Sequence, residues 1–534
     1  MNSSGFSRIA ITFAIMILAL WISLDVFASG SNALGKFYFY MMIGGGIVGL
    51  FAPKKGFFFL LFLTAYLDYF KRLMILDSGL RQLDLYYVLG IAPATLGGIA
   101  LSVVYQLATG AVERRPYEGR ITFGVMVIVG MGAAVGFLSS GGGMRSVGDL
   151  VNAVAYPMLM FIMPMLFRTP QELRYVMKLS ILIFIPSVIY YLYQTYFGFT
   201  WWEYKYMISG YTIEVRQLGE RVVRVFGTLN GAGSATIIYS IDVALLLFAG
   251  FWKYRDDSGK TKDPSMFGRV LLAILFGWAA YRTFSRAGWI QGVLTAVCFW
   301  AFRSRIMTRA LYITVVMALA IIIAMSGYLL KHSVLNKLSD QLAGSDASAE
   351  QHQATSLGSM NARLEGFYHM TTDSKLWTPF GVGMQGKKVE QVMGNRGTHD
   401  AFSAFLLKFG YVTIFAGMIA SYFLLRSLHR FVHSQPEGLT ATLASASLAS
   451  AAGIFFGVTH NSAALNLYPV NFYMYFYVGI VLALMVYQAD LAKKAAAVER
   501  EANPTPLQRR RNPGALRNAP PRQARPQFAS SRML

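Results

Sequence analysis

Residues 85–108 read LYYVLGIAPATLGGIALSVVYQLA, and no charged side chain interrupts them. A helix of about 20 apolar residues crosses a hydrocarbon core of about 30 Å, so this run reads as a transmembrane helix. Runs of the same kind recur outward from it in both directions, near 8–28, 37–52, 57–70, 120–138, 149–167, 175–198, 234–252, 268–281, 287–302, 310–330, 400–425, 439–459 and 470–489. Composition agrees. Of the 534 residues 55% are hydrophobic and 14% charged, with mean hydropathy +0.45, whereas a soluble domain carries about a quarter charged residues. The apolar surplus has to face lipid. The expected fold is all-α, a polytopic integral membrane protein of about fourteen transmembrane helices, with one transmembrane domain over residues 1–490. No cleavable signal peptide is expected in the first run, which lacks a clear small-residue cleavage site.

Orientation follows from the basic residues. Pro53-Lys54-Lys55-Gly56, Glu113-Arg114-Arg115, Lys253 to Arg269, Arg303-Ser304-Arg305 and Arg426 to Arg430 fall in alternate connections. Cytoplasmic loops carry the excess of Lys and Arg, so these connections are assigned to the cytoplasm together with both termini. The expected location is the bacterial inner membrane. Residues 491–534 form a basic tail, rich in Pro and Arg from residue 503 and centred on Arg509-Arg510-Arg511; it is expected to be disordered and cytoplasmic. The net charge of +22 raises the question of nucleic acid, but basic residues held against an anionic leaflet account for it, and no nucleic-acid partner is expected. The single Cys298 lies inside a membrane run, which excludes a disulfide framework and a cysteine metal set.

This orientation leaves two hydrophilic segments on the outer side. Residues 199–233 follow Tyr190-Tyr191-Leu192-Tyr193 and hold Trp201-Trp202, aromatics that read as an interfacial belt. Residues 331–399 form the largest hydrophilic insertion, read as a partly helical periplasmic loop that caps the membrane domain. The outer side is rich in arginine: Arg216, Arg221 and Arg224, then Arg282 and Arg286 around Thr283-Phe284-Ser285, then Arg363 and Arg396. Taken singly, most read as solvated or snorkelling side chains. Arg282 and Arg286 stand in a connection of a few residues between apolar runs, where a cation is costly unless an anion meets it. Arginine's planar fork suits phosphate oxygens, so the cluster fits a lipid-linked diphosphate.

Of seven histidines, five fall on the outer side: His332, His352, His369, His399 and His460. His399, in Gly397-Thr398-His399-Asp400, opens a membrane helix, where an imidazole serves either as a structural cap or as a general base for a hydroxyl. His460, beside Asn461, is a second candidate of the same type. Two further patterns carry less. Gly381-Val382-Gly383-Met384-Gln385-Gly386 fits a dinucleotide fingerprint but lacks the preceding strand, and Glu365 with His369 lacks a third metal ligand, so no metal or cofactor is expected.

Four segments together resemble the O-antigen ligase and O-antigen polymerase superfamily of bacterial membrane glycosyltransferases. Arg224-Val225-Phe226-Gly227-Thr228-Leu229-Asn230 is similar to its Arg, Gly and Asn element, and Thr283-Phe284-Ser285-Arg286-Ala287-Gly288-Trp289 to its Ser-Arg-Gly-Ala element. Arg363 precedes Pro379-Phe380-Gly381-Val382-Gly383 as the family's loop arginine precedes its Gly-x-Gly turn, and His399 with Phe405-Leu406 and Gly410 is similar to its His-Asn element. The resemblance covers residues 222–425. It departs at Asp400, where the family has Asn, and at Ala287-Gly288, which inverts the usual order. It implies an undecaprenyl-diphosphate-linked glycan as donor and a second glycan as acceptor. Arg286, Arg363, Arg282 and Arg224 would then meet the diphosphate, His399 would activate the acceptor hydroxyl, and His460 and Asp400 would be second candidates on the acceptor side. Membrane lipids and, for a polymerase, a chain-length regulator or other assembly protein would be partners. The polymerase reading is preferred over a ligase acting on a lipid A core. A transporter or flippase of lipid-linked sugar is the alternative of another class, kept open by Asp242 and Lys408 inside membrane runs.

Overall fold

The computed structural model describes residues 32–76, 82–110, 119–139, 154–208, 225–255, 265–283, 285–302, 372–383, 401–457 and 468–502, with a few shorter pieces between them. The described chain is mostly helical: α1 (Ala33–Phe51), α2 (Pro53–Leu73), α3 (Gln82–Ala108), α4 (Gly119–Ser139), α5 (Leu159–Leu166), α6 (Pro170–Leu182), α7 (Ile185–Phe197), α8 (Trp201–Ile208), α9 (Ala232–Phe248), α10 (Met266–Arg282), α11 (Arg286–Ala301), α12 (Ala401–Ser434), α13 (Leu439–Gly457) and α14 (Val470–Ala502). Two antiparallel pairs, Gln217–Leu218 with Val222–Val223 and Tyr254–Arg255 with Thr261–Lys262, are two residues per strand.

Among the described residues, five helical stretches are long and apolar enough to cross a membrane: Ala33–Phe51, Leu83–Ala108, Pro170–Phe197, Phe405–Ser434 and Val470–Glu499. Tyr156–Leu166, Ala232–Phe248, Gly288–Ala301 and Leu439–Phe455 are apolar but shorter. The runs near 8–28 and 310–330 lie largely outside the described residues. A lipid-facing surface is visible on α10, where Phe267, Leu271, Ile274, Trp278 and Tyr281 recur at helical spacing and are all exposed, while Arg269, Ala273, Phe276 and Ala280 turn inward. Such an apolar stripe would be an aggregation surface in water. The protein is a helical membrane protein.

Chain chemistry accounts for the main breaks. Pro186 has no N–H to donate and its ring collides with the carbonyl four residues back; α6 ends at that residue, Leu182. The start of α6 is capped by Thr169, whose hydroxyl accepts from Glu172 N at 3.3 Å, while Glu172 Oε2 accepts from Arg168 N at 2.8 Å. Small residues let helices touch through their backbones: a Cβ on Gly98 of α3 would lie 2.1 Å from Gly46 O of α1, and one on Gly292 of α11 would lie 2.8 Å from Ser240 O of α9. The interior between α9, α11 and α13 is close-packed, its cavity only about 10 Å³.

The chain divides into two units, Met1–Leu484 and Met485–Leu534. The described part of the second continues α14 to Ala502, with residues 491–499 exposed. This corrects the expected start of the disordered tail at residue 491. Lys493, Lys494 and Ala495 to Ala497 are strong helix formers and carry the helix on. Residues 503–534 lie outside the described part.

α12 is interrupted at Gly410, whose φ of 78° and ψ of 170° belong to a region that only glycine enters readily. A Cβ there would sit 2.2 Å from Pro379 O. Gly410→Ala is therefore expected to destabilise the purified protein by on the order of 3 kcal/mol, as one strained residue does. Gly97→Ala, where an added Cβ meets nothing within 4 Å, should leave the melting temperature unchanged or raise it. Thermal melting in detergent checks both.

Candidate functional site

α2 ends in Lys71-Arg72, two cations in the turn where free carbonyls gather negative charge. Arg72 is fully buried. Its guanidinium is met on every side. Nη1 donates to Gly227 O at 2.7 Å and Nη2 to Leu229 O at 2.8 Å, while Nε donates to Asp68 O at 3.2 Å. Glu203 Oε1 lies 3.5 Å from Nη1, and the Phe226 ring covers the guanidinium face at 4.2 Å. Glu203 is buried too. Its Oε1 accepts from Gln194 Nε2 at 2.6 Å, and its Oε2 accepts from the backbone N of Thr200 at 3.1 Å and from Thr200 Oγ1 at 3.0 Å. Gln194 turns its own carbonyl to Gly227 N at 2.7 Å. Lys71 Nζ lies 3.4 Å from Asp68 Oδ1 and donates to Asn230 Oδ1 at 3.4 Å. Ser187 Oγ shares hydrogen bonds with Thr228 Oγ1 and Tyr239 OH.

The segment Val225 to Gly231 is thus gripped at the N–H and the C=O of Gly227 and at the C=O of Leu229. Gly227 itself has φ of +61°, which an L side chain resists. The segment feeds directly into α9, and one turn on, Thr236 donates to Thr283 Oγ1 at the α10–α11 connection. Thr283 in turn accepts from Ser285 N at 3.2 Å, so the tip that carries Arg282 and Arg286 is tied to α9. Gly288 marks the crossing of α11 and α9: a Cβ at 288 would meet Thr236 Cβ at 2.4 Å and Ile237 N at 2.8 Å, so a glycine has to stand there. Arg282 lies over the Tyr196 ring at 5.6 Å, and Trp278 Nε1 donates to Tyr196 OH at 2.7 Å. Arg286 is the first residue of α11, after Ser285 at its N-cap position.

A second pairing joins the other two motif segments. At the Gly410 break, Val382 N donates to Leu407 O at 2.6 Å and Tyr411 N donates to Thr378 O at 3.1 Å. The Pro379-Phe380-Gly381-Val382-Gly383 turn thus supplies partners for backbone groups that the broken helix leaves open. Gly381 and Gly410 approach so closely that a Cβ on Gly381 would meet Lys408 O at 2.5 Å.

The structure therefore brings the Val225–Asn230 and Thr283–Trp289 segments together, and separately the Pro379–Gly383 and Phe405–Gly410 segments. Of the expected site residues, Arg282 and the backbone of Arg286 are described. Arg224, Arg363, His399, Asp400 and His460 lie outside the described residues, as do Glu365 and His369. Arg224 immediately precedes the clamped segment and Asp400 immediately precedes α12. Among the described residues, no group of three or more His, Cys, Asp and Glu stands close enough to hold a metal. The belt expectation needs one correction: Tyr193 and Trp201 are exposed, but Tyr191 is buried against Tyr239, because α7 turns that face toward α9. Asp242 is buried in α9, its Oδ2 without a hydrogen-bond partner among the described residues, and Lys408 is half-buried.

Sequence reasoning missed Arg72, Gln194 and Glu203. A usable sign was present in Lys71-Arg72 itself, a basic pair at the end of a run where the positive-inside pattern does not call for one. No protein-family model matches the chain, and no curated protein matches it.

Loss of Arg72 leaves Glu203 buried without its cation and two carbonyls without donors. Arg72→Gln is expected to cost on the order of 3 kcal/mol and to speed limited proteolysis within the Val225–Gly231 segment that it holds. Arg72→Lys, which lacks the fork, should recover only part of that. Thermal melting and proteolytic mapping in detergent check the pair; wild-type behaviour of Arg72→Gln would remove the clamp from the account.

Proposed function

We propose that the protein is a membrane glycosyltransferase of the bacterial inner membrane, a polymerase of a surface polysaccharide. In this reading it transfers an undecaprenyl-diphosphate-linked glycan to a hydroxyl of another lipid-linked repeat unit at the periplasmic face, with about fourteen spans and both termini in the cytoplasm. The observation that carries it is the tying of the segment after Arg224 to the tip that holds Arg282 and Arg286, by the Thr236–Thr283 bond and the Gly288 contact. Arg282 ends α10 and Arg286 opens α11 at that tip, a helix start where free N–H groups and the helix dipole favour an anion. A diphosphate leaving group needs such a setting.

In the proposed reaction the acceptor oxygen attacks the anomeric carbon of the donor. Its bond to the diphosphate breaks, and that electron pair leaves on the lipid diphosphate. His399 takes the hydroxyl proton, and Arg286, Arg363, Arg282 and Arg224 neutralise the departing charge. Stabilising that charge is the larger expected contribution; proton transfer adds about 10²–10⁴-fold. Arg72 acts one step back, as a positioning residue that fixes the segment beginning next to Arg224. A ligase acting on a lipid A core would use the same donor chemistry. A transporter of lipid-linked sugar draws on the interrupted helices at 183–184 and Gly410 and on buried Asp242.

The test is glycan transfer by the purified full-length protein, with lipid-linked donor and either a lipid-linked repeat or a lipid A core as acceptor. Arg286→Ala is expected to be nearly inactive and Arg286→Lys markedly impaired, because a point charge cannot replace the fork. His399→Ala should abolish transfer while donor binding persists, and His460→Ala should keep substantial activity. EDTA should change nothing. Movement of intact donor across vesicles without glycan transfer would favour the transporter and overturn the enzyme reading.

A further inference from the structure

At the other end of the bundle the turn between α1 and α2 meets the junction of α5 and α6. Ala52, Pro53, Lys54 and Lys55 face Met165, Leu166 and Arg168 there, with Gln106 closing a side, around a groove of about 530 Å³. That is the size of a small-molecule site. Its charges are uneven. Lys54 is taken by Glu172, Nζ to Oε1 at 2.6 Å. Lys55 and Arg168 are exposed, and no acidic side chain among the described residues pairs with either. The first turn of α2 holds no acidic residue to offset the lysines. The opposite wall is apolar, with Leu166 buried and Met165 half-buried beneath the cationic rim.

We propose that this groove binds the phosphate headgroup of an anionic phospholipid, with the acyl chains running along the Met165 and Leu166 side. Two uncompensated cations select a negative headgroup, and a juxtamembrane basic cluster is where anionic lipids concentrate. A free phosphate could use the rim but gains nothing from the apolar wall. The site lies apart from Arg72, Arg282 and Arg286 and does not depend on the glycosyltransferase reading.

The experiment is native mass spectrometry of full-length protein in detergent, with added phosphatidylglycerol, phosphatidylcholine or inorganic phosphate. Wild type should retain one phosphatidylglycerol in preference to phosphatidylcholine, and millimolar phosphate should not displace it. Lys55→Gln with Arg168→Gln should weaken retention about thirtyfold, the factor for two cations near a lipid surface. Arg168→Gln alone should fall between. Both side chains are exposed, so monodisperse elution of the variants checks that folding is intact. Lys493→Gln with Lys494→Gln, on the exposed end of α14, should bind as wild type does. Unchanged retention in the double groove variant would overturn the site, as it would if the chain's own acidic residues met these cations. Displacement by inorganic phosphate would overturn the lipid as its occupant.

Discussion

A buried guanidinium in a helical membrane protein has no water to turn to, and Arg72 shows what that demands. Each polar group withdrawn from water has to be satisfied by the protein or it costs several kcal/mol. Arg72 recruits two carbonyls from one chain segment, a carboxylate from α8 and an aromatic face, and Glu203 recruits Gln194 and Thr200 in turn. The result ties α2, α7 and α8 to the segment that opens α9. Because that segment leads within one turn to Thr236 and the Thr283 contact, the position of the Arg282–Arg286 tip depends on it.

The interruption at Gly410 solves a related problem in another way. A helix that breaks inside a bundle exposes N–H and C=O groups, and such breaks persist only where other protein groups fill them. Here the filler is backbone, from Thr378 and Val382. Both glycines at the contact are needed because the two main chains come closer than any side chain would allow. Residues 378–382 are thereby anchored to α12.

The two ends of the bundle are chemically distinct. One joins Lys54 to Glu172 and Arg174 to the carbonyls of Trp252 and Lys253, along loops rich in Lys and Arg. The other holds the Arg72 network, the Arg282–Tyr196 contact and the start of α11. Lys54, Lys55 and Arg168 at the first are exposed, as snorkelling allows, whereas Arg72 is enclosed and costs the fold a dedicated network.

Much of the fold was legible in the sequence because crossing lipid imposes length and polarity on contiguous residues. The expected runs at 268–281 and 287–302 became α10 and α11 with ends shifted by a residue or two, and the arginines between them sit at the tip as read. The helix-breaking role of Pro186 is equally local. Contacts between distant segments were not legible, since nothing in a single sequence records which carbonyl a given arginine will reach. Arg72 lies 155 residues from Gly227, and only packing of α2 against α7 and α8 brings them together. The same holds for Gly288, whose lack of a side chain becomes intelligible once α11 is seen crossing α9, and for Gly410, whose conformation is set by a turn some thirty residues earlier. The sequence by itself determined that the chain is a helical membrane protein, because that depends on the hydrophobicity of contiguous segments. Tertiary structure decided which polar groups share a site, because buried hydrogen bonds and close backbone contacts are made across the fold.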